Sequence, residues 1–391
     1  MERESRMDLF LKSLEEEMRR PPSSRAERQA MHERLTVAFA DFGRTTLNLD
    51  DRHLQVLLAG GFSTIGTAMA RQARRFDPKV SVADIFQASR NAWTACGLQV
   101  LFGRSMCLTP SIFAYSMLYP YTDNYLDDPA TPTEIKHGFN HRFSRRLCGD
   151  AIAPSGRHEA IIWRLVELIE SQYPRERHPG VFESLVWIQA AQEKSLRLLR
   201  RAAPLGETSV LALSFEKGGT SVLADGYLAG ETLTPEQARF AFNWGVFLQL
   251  ADDLQDVQDD RKRGVQTIFS RAAGREPLDA LTNRLMQFGA EVMMQMHDLP
   301  DVGSLPLRQL IARSCLSFLV RSAGEASGLY TKEYVAAVEA LSPFRFAFLN
   351  DRQRRLACHR GIFAKLFEAF LAGEPDEPAF PLLPGSLMPR F

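Results

Sequence analysis

The chain has 391 residues, 45% apolar and 24% charged, the proportions of a globular protein with one large core or two ordinary ones. Its 47 basic residues balance 47 acidic ones, so no overall field draws it to nucleic acid or an anionic membrane. No run approaches the roughly 18 apolar residues of a spanning helix, and the opening MERESRMDLFLKSLEEEMRR lacks the apolar core of a signal peptide. The five cysteines are scattered without a CxxC pair. These features predict a cytoplasmic protein with no transmembrane segment, disulfide framework or structural zinc.

In chain order, residues 1–24 read as a flexible amphipathic arm. Beyond them a 3.6-residue apolar period recurs between short breaks, while strand-like alternation is nearly absent. Helices are predicted at 25–43, 51–76, 82–103, 110–128, 132–147 and 156–173. More follow at 179–201, 207–229, 235–262, 277–297, 305–340 and 345–372. Two starts carry an N-cap threonine, a proline and a capping-box partner: Thr131-Pro132 with Glu134, and Thr234-Pro235 with Gln237. No long polar linker or repeat intervenes, so 25–372 is expected to form a single all-α domain. Residues 373–391 read as an irregular Pro-rich tail.

Two acidic clusters stand out. In LYPYTDNYLDDP (118–129), Asp128 precedes Pro129, which pushes it out of the α region and ends the helix. Asp123 and Asp127 then share a last turn at i,i+4, where the helix dipole disfavours each by about 0.3–1 kcal/mol. Pro120 lies inside the same helix and can kink it. In AFNWGVFLQLADDLQDVQDDRKRG (241–264) an apolar helix ends in Asp252, Asp256 and Asp260 at i, i+4, i+8, with Asp253 and Asp259 beside them. Asp252 and Asp256 are expected to lie deep in that helix. Solvated helix ends paired with arginines are the plain alternative, and Asp259 with Arg263 fits it equally well.

Clustered carboxylates on a buried helix are costly unless protonated or metal-bound. Oxygen ligands without His or Cys suit Mg2+ and a phosphate, not zinc. His137 and His141 have HxxxH spacing but no intervening Glu or third ligand, so they read as a solvent-facing pair. Neither a nucleotide-binding loop nor a serine elbow is present.

GVFLQLADDLQD resembles the second aspartate-rich motif of trans-prenyl diphosphate synthases. LADDLQDVQDDRKRG is similar to the DVxED-plus-basic segment of squalene and phytoene synthases, and Asp252, Asp256 and Asp260 occupy the positions of a terpene cyclase NSE triad. PSIFAYSMLYPYTDNYLDDP, RNAWTACGLQ and EKGGTSVLADGYL look like bacterial class 1 isoprenoid biosynthesis enzymes related to the large-terpene (class IB) synthases. The resemblance to this class I terpenoid synthase superfamily covers about residues 80–275. The GKxxR-type isopentenyl diphosphate site of elongating enzymes has no counterpart: LAGGFSTIGTAMARQARRF arranges its glycines and arginines differently.

The resemblance implies an antiparallel helical bundle around a central apolar cavity. It implies Mg2+, three ions with the substrate diphosphate, held by Asp123, Asp127 and Asp128 on one wall and Asp252, Asp253, Asp256 and Asp260 on the other. Asp123, Asp127, Asp252 and Asp256 would be the catalytic core. Lys217, beside two glycines that permit close backbone approach, leads the diphosphate-binding candidates, followed by Arg145, Arg146, Arg261 and Lys262. Phe113, Tyr115, Phe242, Trp244 and Phe247 are candidates for a cation-stabilising cavity lining, although plain core packing explains any one of them. The implied function is a terpene synthase that ionises a linear prenyl diphosphate of C15 or longer to a hydrocarbon or alcohol. Alternatives are a prenyltransferase (head-to-head condensation or chain elongation) and a non-catalytic isoprenoid-binding protein. Relatives are often dimers, which makes a homodimer an expectation.

Overall fold

Helix-starting chemistry is explicit at several points in the computed structural model. It describes residues 2–59, 61–128, 130–199, 206–300, 303–357, 359–373 and 377, with the side chains of Asp127, Ala357 and Arg360 excepted. The first helices are α1 (Glu2–Met18), α2 (Arg25–Thr45), α3 (Asp51–Leu54), α4 (Phe62–Phe76), α5 (Val82–Leu101) and α6 (Pro110–Asp127). Then come α7 (Thr133–Leu147), α8 (Arg157–Gln172), α9 (Pro179–Ser195), α10 (Glu207–Gly230), α11 (Pro235–Gln255) and α12 (Val257–Arg263). The last are α13 (Ile268–Ala272), α14 (Asp279–Gln295), α15 (Leu305–Glu325), α16 (Lys332–Glu339), α17 (Phe346–Ala357) and α18 (Arg360–Leu371). Among the described residues the only β pairing is two isolated bridges, so the chain is all-α.

The capping box predicted at Thr234 closes as expected: its hydroxyl accepts from the Gln237 N–H, and the Gln237 side chain accepts from the Thr234 N–H. At α7 the prediction fails. Pro132 is the N-cap without a side-chain bond, because the Thr131 hydroxyl turns back to donate to Asp128 Oδ2 at 3.0 Å. Several long predicted helices are divided: 51–76 at Gly61, which takes φ +113°, and 235–262 at Asp256, with φ −93° and ψ 8°.

The chain divides into two compact units. One comprises residues 1–89 and 336–391, the other 90–335, and α5 and α16 run across the boundary. A unit assembled from both chain ends leaves no linker for the sequence to show.

In the first unit the predicted flexible arm is a helix. Met7, Phe10, Leu11, Leu14 and Met18 are buried, on the i, i+3, i+4, i+7 spacing of an amphipathic stripe. α1 packs on α2 and α18, and Phe10 stacks on Phe42 at 4.7 Å between centroids. Its acids are met from far along the chain: Glu4 accepts from Arg345 at 2.9 and 2.6 Å, and Asp8 accepts from Arg352 at 2.5 and 2.7 Å. The stripe was visible in the sequence; the partners that fix it were not. Of the predicted tail, 374–376 and 378–391 lie outside the described residues.

In the second unit α10 packs against α9, α11 and α6, α11 also meets α14 and α15, and α8 packs on α6. The α10–α11 seam is backbone against backbone. A Cβ on Gly245 would stand 2.1 Å from the Gly218 carbonyl oxygen, and one on Gly218 would stand 2.5 Å from that of Gly245. Gly219 receives the ring of Phe242, 2.4 Å from where its Cβ would be. Only glycine permits this approach.

Gly245→Ala should therefore destabilise the protein by about 1–3 kcal/mol or more, as overpacking does. Gly138→Ala, on α7 with nothing within 4 Å of the new methyl, should instead stabilise it by about 0.5–1 kcal/mol. Urea unfolding of the two variants beside the parent checks both signs.

Candidate functional site

α6 starts from Thr109, whose hydroxyl accepts from the Ile112 N–H, and continues through Pro120 to Asp127. Asp123, on its penultimate turn, is half-buried and faces α9, where Gln192 Nε2 donates to its two carboxylate oxygens at 3.1 and 3.0 Å. Asp128 is exposed and closes its own turn, accepting from the Ala130 N–H at 2.9 Å and from Thr131. The Ala130 N–H first, then Thr131, hold its carboxyl below the usual range. The Asp127 side chain lies outside the described residues, so two of three expected ligands are placed, and they point to different partners.

In the second cluster, the backbone bonds Asp256 N–H to Asp252 O and Asp260 N–H to Asp256 O, both 2.8 Å, carry the i,i+4 ladder through the α11–α12 junction. Asp252, Asp256 and Asp260 thus stay on successive turns. Arg263 and Gly264, at φ +76°, close α12, and the following Gln266 N–H is tied to Leu198 O at 2.7 Å.

Burial is distributed differently from expectation. Asp252 is exposed, and it is Asp253 that is buried. Gly245, Gln249 and Asp253 follow at i, i+4, i+8, so Asp253 falls on the face that α11 presses against α10. It accepts from Gln249 Nε2 at 2.8 Å and from Ser214 Oγ of α10 at 3.2 Å. Burial pushes its carboxyl up to about 7; Gln249 opposes this, Asp252 adds to it, and Lys217 opposes it. Asp260 is also pushed up to about 7, by burial first and then by Asp253, Asp256 and Asp252, with Arg263 opposing. The carboxyls of Asp253 and Asp260 thus feel the charges of their acidic neighbours as well as their burial.

Of the predicted diphosphate ligands, the structure brings Lys217 to this cluster. Arg145 is paired with Asp150 at 2.7 Å, Arg146 with Glu170 at 2.7 and 2.6 Å, and Lys262 with Asp259 at 2.9 Å. The Arg261 guanidinium lies over Gly274, 2.7 Å from where a Cβ there would sit. The glycine pair beside Lys217, expected to admit a diphosphate, is filled by Gly245, Gln249 and Phe242 of α11.

The aromatic candidates divide similarly. The Phe242 ring rests on Gly219, the Phe247 ring stands 2.5 Å from where a Gly289 Cβ would be, and Trp244 stacks on Phe240 at 5.5 Å. Phe113 is fully buried. Tyr115 borders a cleft that runs between α6, α7 and α9 past Asp123. Phe143, Leu147, Leu185 and Ile188 form its apolar wall. At about 30 Å³ it is far smaller than the roughly 300 Å³ or more of an ordinary ligand pocket. His137 and His141 are exposed, as predicted.

α9 links the two clusters. Gln192 holds Asp123, and Lys194 reaches Glu216 of α10 at 2.5 Å, next to Lys217. The C-terminal ends of α6, α9 and α11 therefore share one end of this unit.

Sequence reasoning missed Gln192, whose side chain carries no motif, and Asp225. Asp225 is fully buried on α10; its Oδ1 accepts from Asn91 Nδ2 at 3.0 Å, and Asn91 also donates to Ser116 Oγ at 3.2 Å. Burial raises its carboxyl well above the ordinary value, against the opposing bond from Asn91. An acid inside the apolar SVLADGYL was a signal that could have been followed.

Among the described residues no group of three or more His, Cys, Asp or Glu converges as a metal site. The donors are oxygen only, the kind that Mg2+ takes as one or two carboxylates together with waters and phosphates. No family model and no curated protein matches the chain. The reading of the site rests on its residues.

Asp253 and Asp260 have folded values above the unfolded value of 3.8, at about 7. The folded state thus retains protons that the unfolded chain releases, so their contribution to stability is present at low pH and lost as pH rises from about 4 to about 7. The urea midpoint should fall between pH 5 and pH 8, and Asp253→Asn should remove part of that fall.

Proposed function

We propose that the chain is a Mg2+-dependent class I terpene synthase that ionises a linear prenyl diphosphate of C15 or longer. The observation that carries this reading is the mutual strain of Asp252, Asp253, Asp256 and Asp260 at the end of α11, with Lys217 as the nearby cation. Carboxylates gathered at this density are stabilised by a divalent cation and destabilised without one.

Asp252, Asp256 and Asp260 would hold Mg2+ on one side and Asp123, with Asp127 and Asp128, on the other. When bound, the cations would supply Lewis-acid stabilisation to the diphosphate leaving group. Gln192 orients the Asp123 carboxylate through both of its oxygens. Lys217 contributes positive charge to the phosphate side, and Asp253, bound to Gln249 and Ser214, anchors the α11 end rather than serving as an open ligand. Asp128 must give up its turn-closing bonds to take part. An isoprenoid chain would need the 30 Å³ cleft to widen, which requires α7 or the end of α9 to move.

A second reading, a non-catalytic isoprenoid-binding protein, is favoured by one observation: Asp123 and Asp128 already have local hydrogen-bond partners. Incubation with a C10–C35 panel of prenyl diphosphates and Mg2+, with and without isopentenyl diphosphate, separates the readings by mass spectrometry of the extracts. A terpene from a single diphosphate is the expected result. A longer diphosphate formed only with isopentenyl diphosphate, or a doubled skeleton, would make it a prenyltransferase, and no turnover would favour the binding protein. Asp252→Ala should lower diphosphate release at least about 100-fold, the scale of losing one strong transition-state contact, while its melting temperature stays within a few degrees of the parent's.

A further inference from the structure

We infer that His158 is a positioning residue for cation binding: it grips the acidic end of α6 from behind and so fixes the angle at which Asp123 is presented. This deepens the reading given above, in which Asp123 is a cation ligand, and rests on it.

α6 needs such a grip. Pro120 lies inside it and has no N–H to give to the Ser116 carbonyl, so the helix is weakened just before Asp123. The segment from Tyr121 to Asp127 can swing about that point unless something outside the helix holds it. On the front, Gln192 of α9 holds the Asp123 carboxylate at 3.1 and 3.0 Å. Tyr121 and Tyr125 each stand two residues from Asp123, about 200° around a helix of 3.6 residues per turn, and so mark the back.

His158, in the first turn of α8, meets that back face twice. Its Nε2 stands 2.7 Å from the Tyr121 carbonyl oxygen. A carbonyl only accepts, so Nε2 carries the hydrogen and donates it. The imidazole ring also stacks on Tyr125, with centroids 4.1 Å apart and planes 25° from parallel. Phe139 of α7, which is buried, completes the group at 5.4 Å from His158 and 5.2 Å from Tyr125. The two contacts fall on consecutive turns of α6 beyond the proline, so they fix its rotation as well as its position.

The base of the grip is itself held. Glu159, next to His158, accepts from Arg142 of α7 at 3.0 and 2.9 Å and from the Ser155 N–H at 2.7 Å. The start of α8 is thereby anchored to α7 independently of α6. A side chain that merely filled space here would need no donor, whereas this one spends its N–H on a helix that has lost a bond nearby. Its effect on the cation is exerted through Asp123.

The test titrates Mn2+, standing for Mg2+, into the protein with inorganic diphosphate and reads the bound ion by electron paramagnetic resonance. His158→Phe keeps an aromatic ring on Tyr125 and removes the donor; His158→Gln keeps a donor and removes the ring. The phenylalanine variant should bind Mn2+ about threefold to tenfold more weakly than the parent, the scale of one hydrogen bond, and the glutamine variant within about twofold of it. In an Asp123→Asn background the same His158→Phe change should cost nothing further, which a merely structural role would not reproduce. His158→Leu serves the comparison if phenylalanine overcrowds the stack. Parent-like binding by His158→Phe, or an equal loss in the Asp123→Asn background, would overturn the inference and leave the terpene synthase reading standing. Equal losses in the phenylalanine and glutamine variants would assign the effect to the ring and overturn the role of the donor. A parent that binds no Mn2+ with diphosphate would remove that reading and the inference with it.

Discussion

The contact on which the second unit depends is the backbone seam between α10 and α11. Gly218 and Gly245 meet so closely that no side chain fits between them. The dispersion lost by omitting side chains is regained along the rest of both helices, which lie in contact from Phe242 and Gly219 to Asp253 and Ser214. The same closeness fixes the rotation of α11. With Gly245 and Gln249 pressed on α10, the next residue on that line must be Asp253, and its neighbours Asp252 and Asp256 are turned out of the seam.

The site is thus a by-product of packing geometry. A carboxyl trapped between helices becomes neutral or finds a cation, and Lys217, one residue before Gly218, is the side chain that geometry leaves in range. Electrostatic strain in the acidic end of α11 and the tightness of the glycine seam are therefore linked. Loosening the seam admits water, relaxes Asp253 toward ordinary acidity and weakens the hold on its neighbours.

Much of this was legible. The helical period located α2, α5, α6, α8 and α10 nearly to the residue, and both acidic clusters stood out because aspartates are unfavourable at helix C-termini. What stayed hidden required knowledge of facing surfaces. The glycines of EKGGTS read as room for a ligand because the sequence does not say that Gly245 will fill it. Asp252 looked deeper than Asp253 because one residue, a 100° rotation, decides which lies in the seam. Gln192 carried no signal, since a glutamine in an amphipathic helix is ordinary until its partner is known. The aromatic residues of α11 were legible as apolar, but not as lids on glycine pads.

The first unit presents a different problem, one of time. α1 is synthesised long before its C-terminal partners: Arg345, which clasps Glu4, follows 341 residues later. At about 5–20 residues per second, translation leaves the Met7–Phe10–Leu14 stripe without its C-terminal partners for roughly 17–70 s. Over that interval α2, which contributes Phe39 and Phe42 beside Phe10, is the cover available. Order of synthesis thus divides the contacts of α1 into an early set, the rings of α2, and a late set, the arginines that meet Glu4 and Asp8.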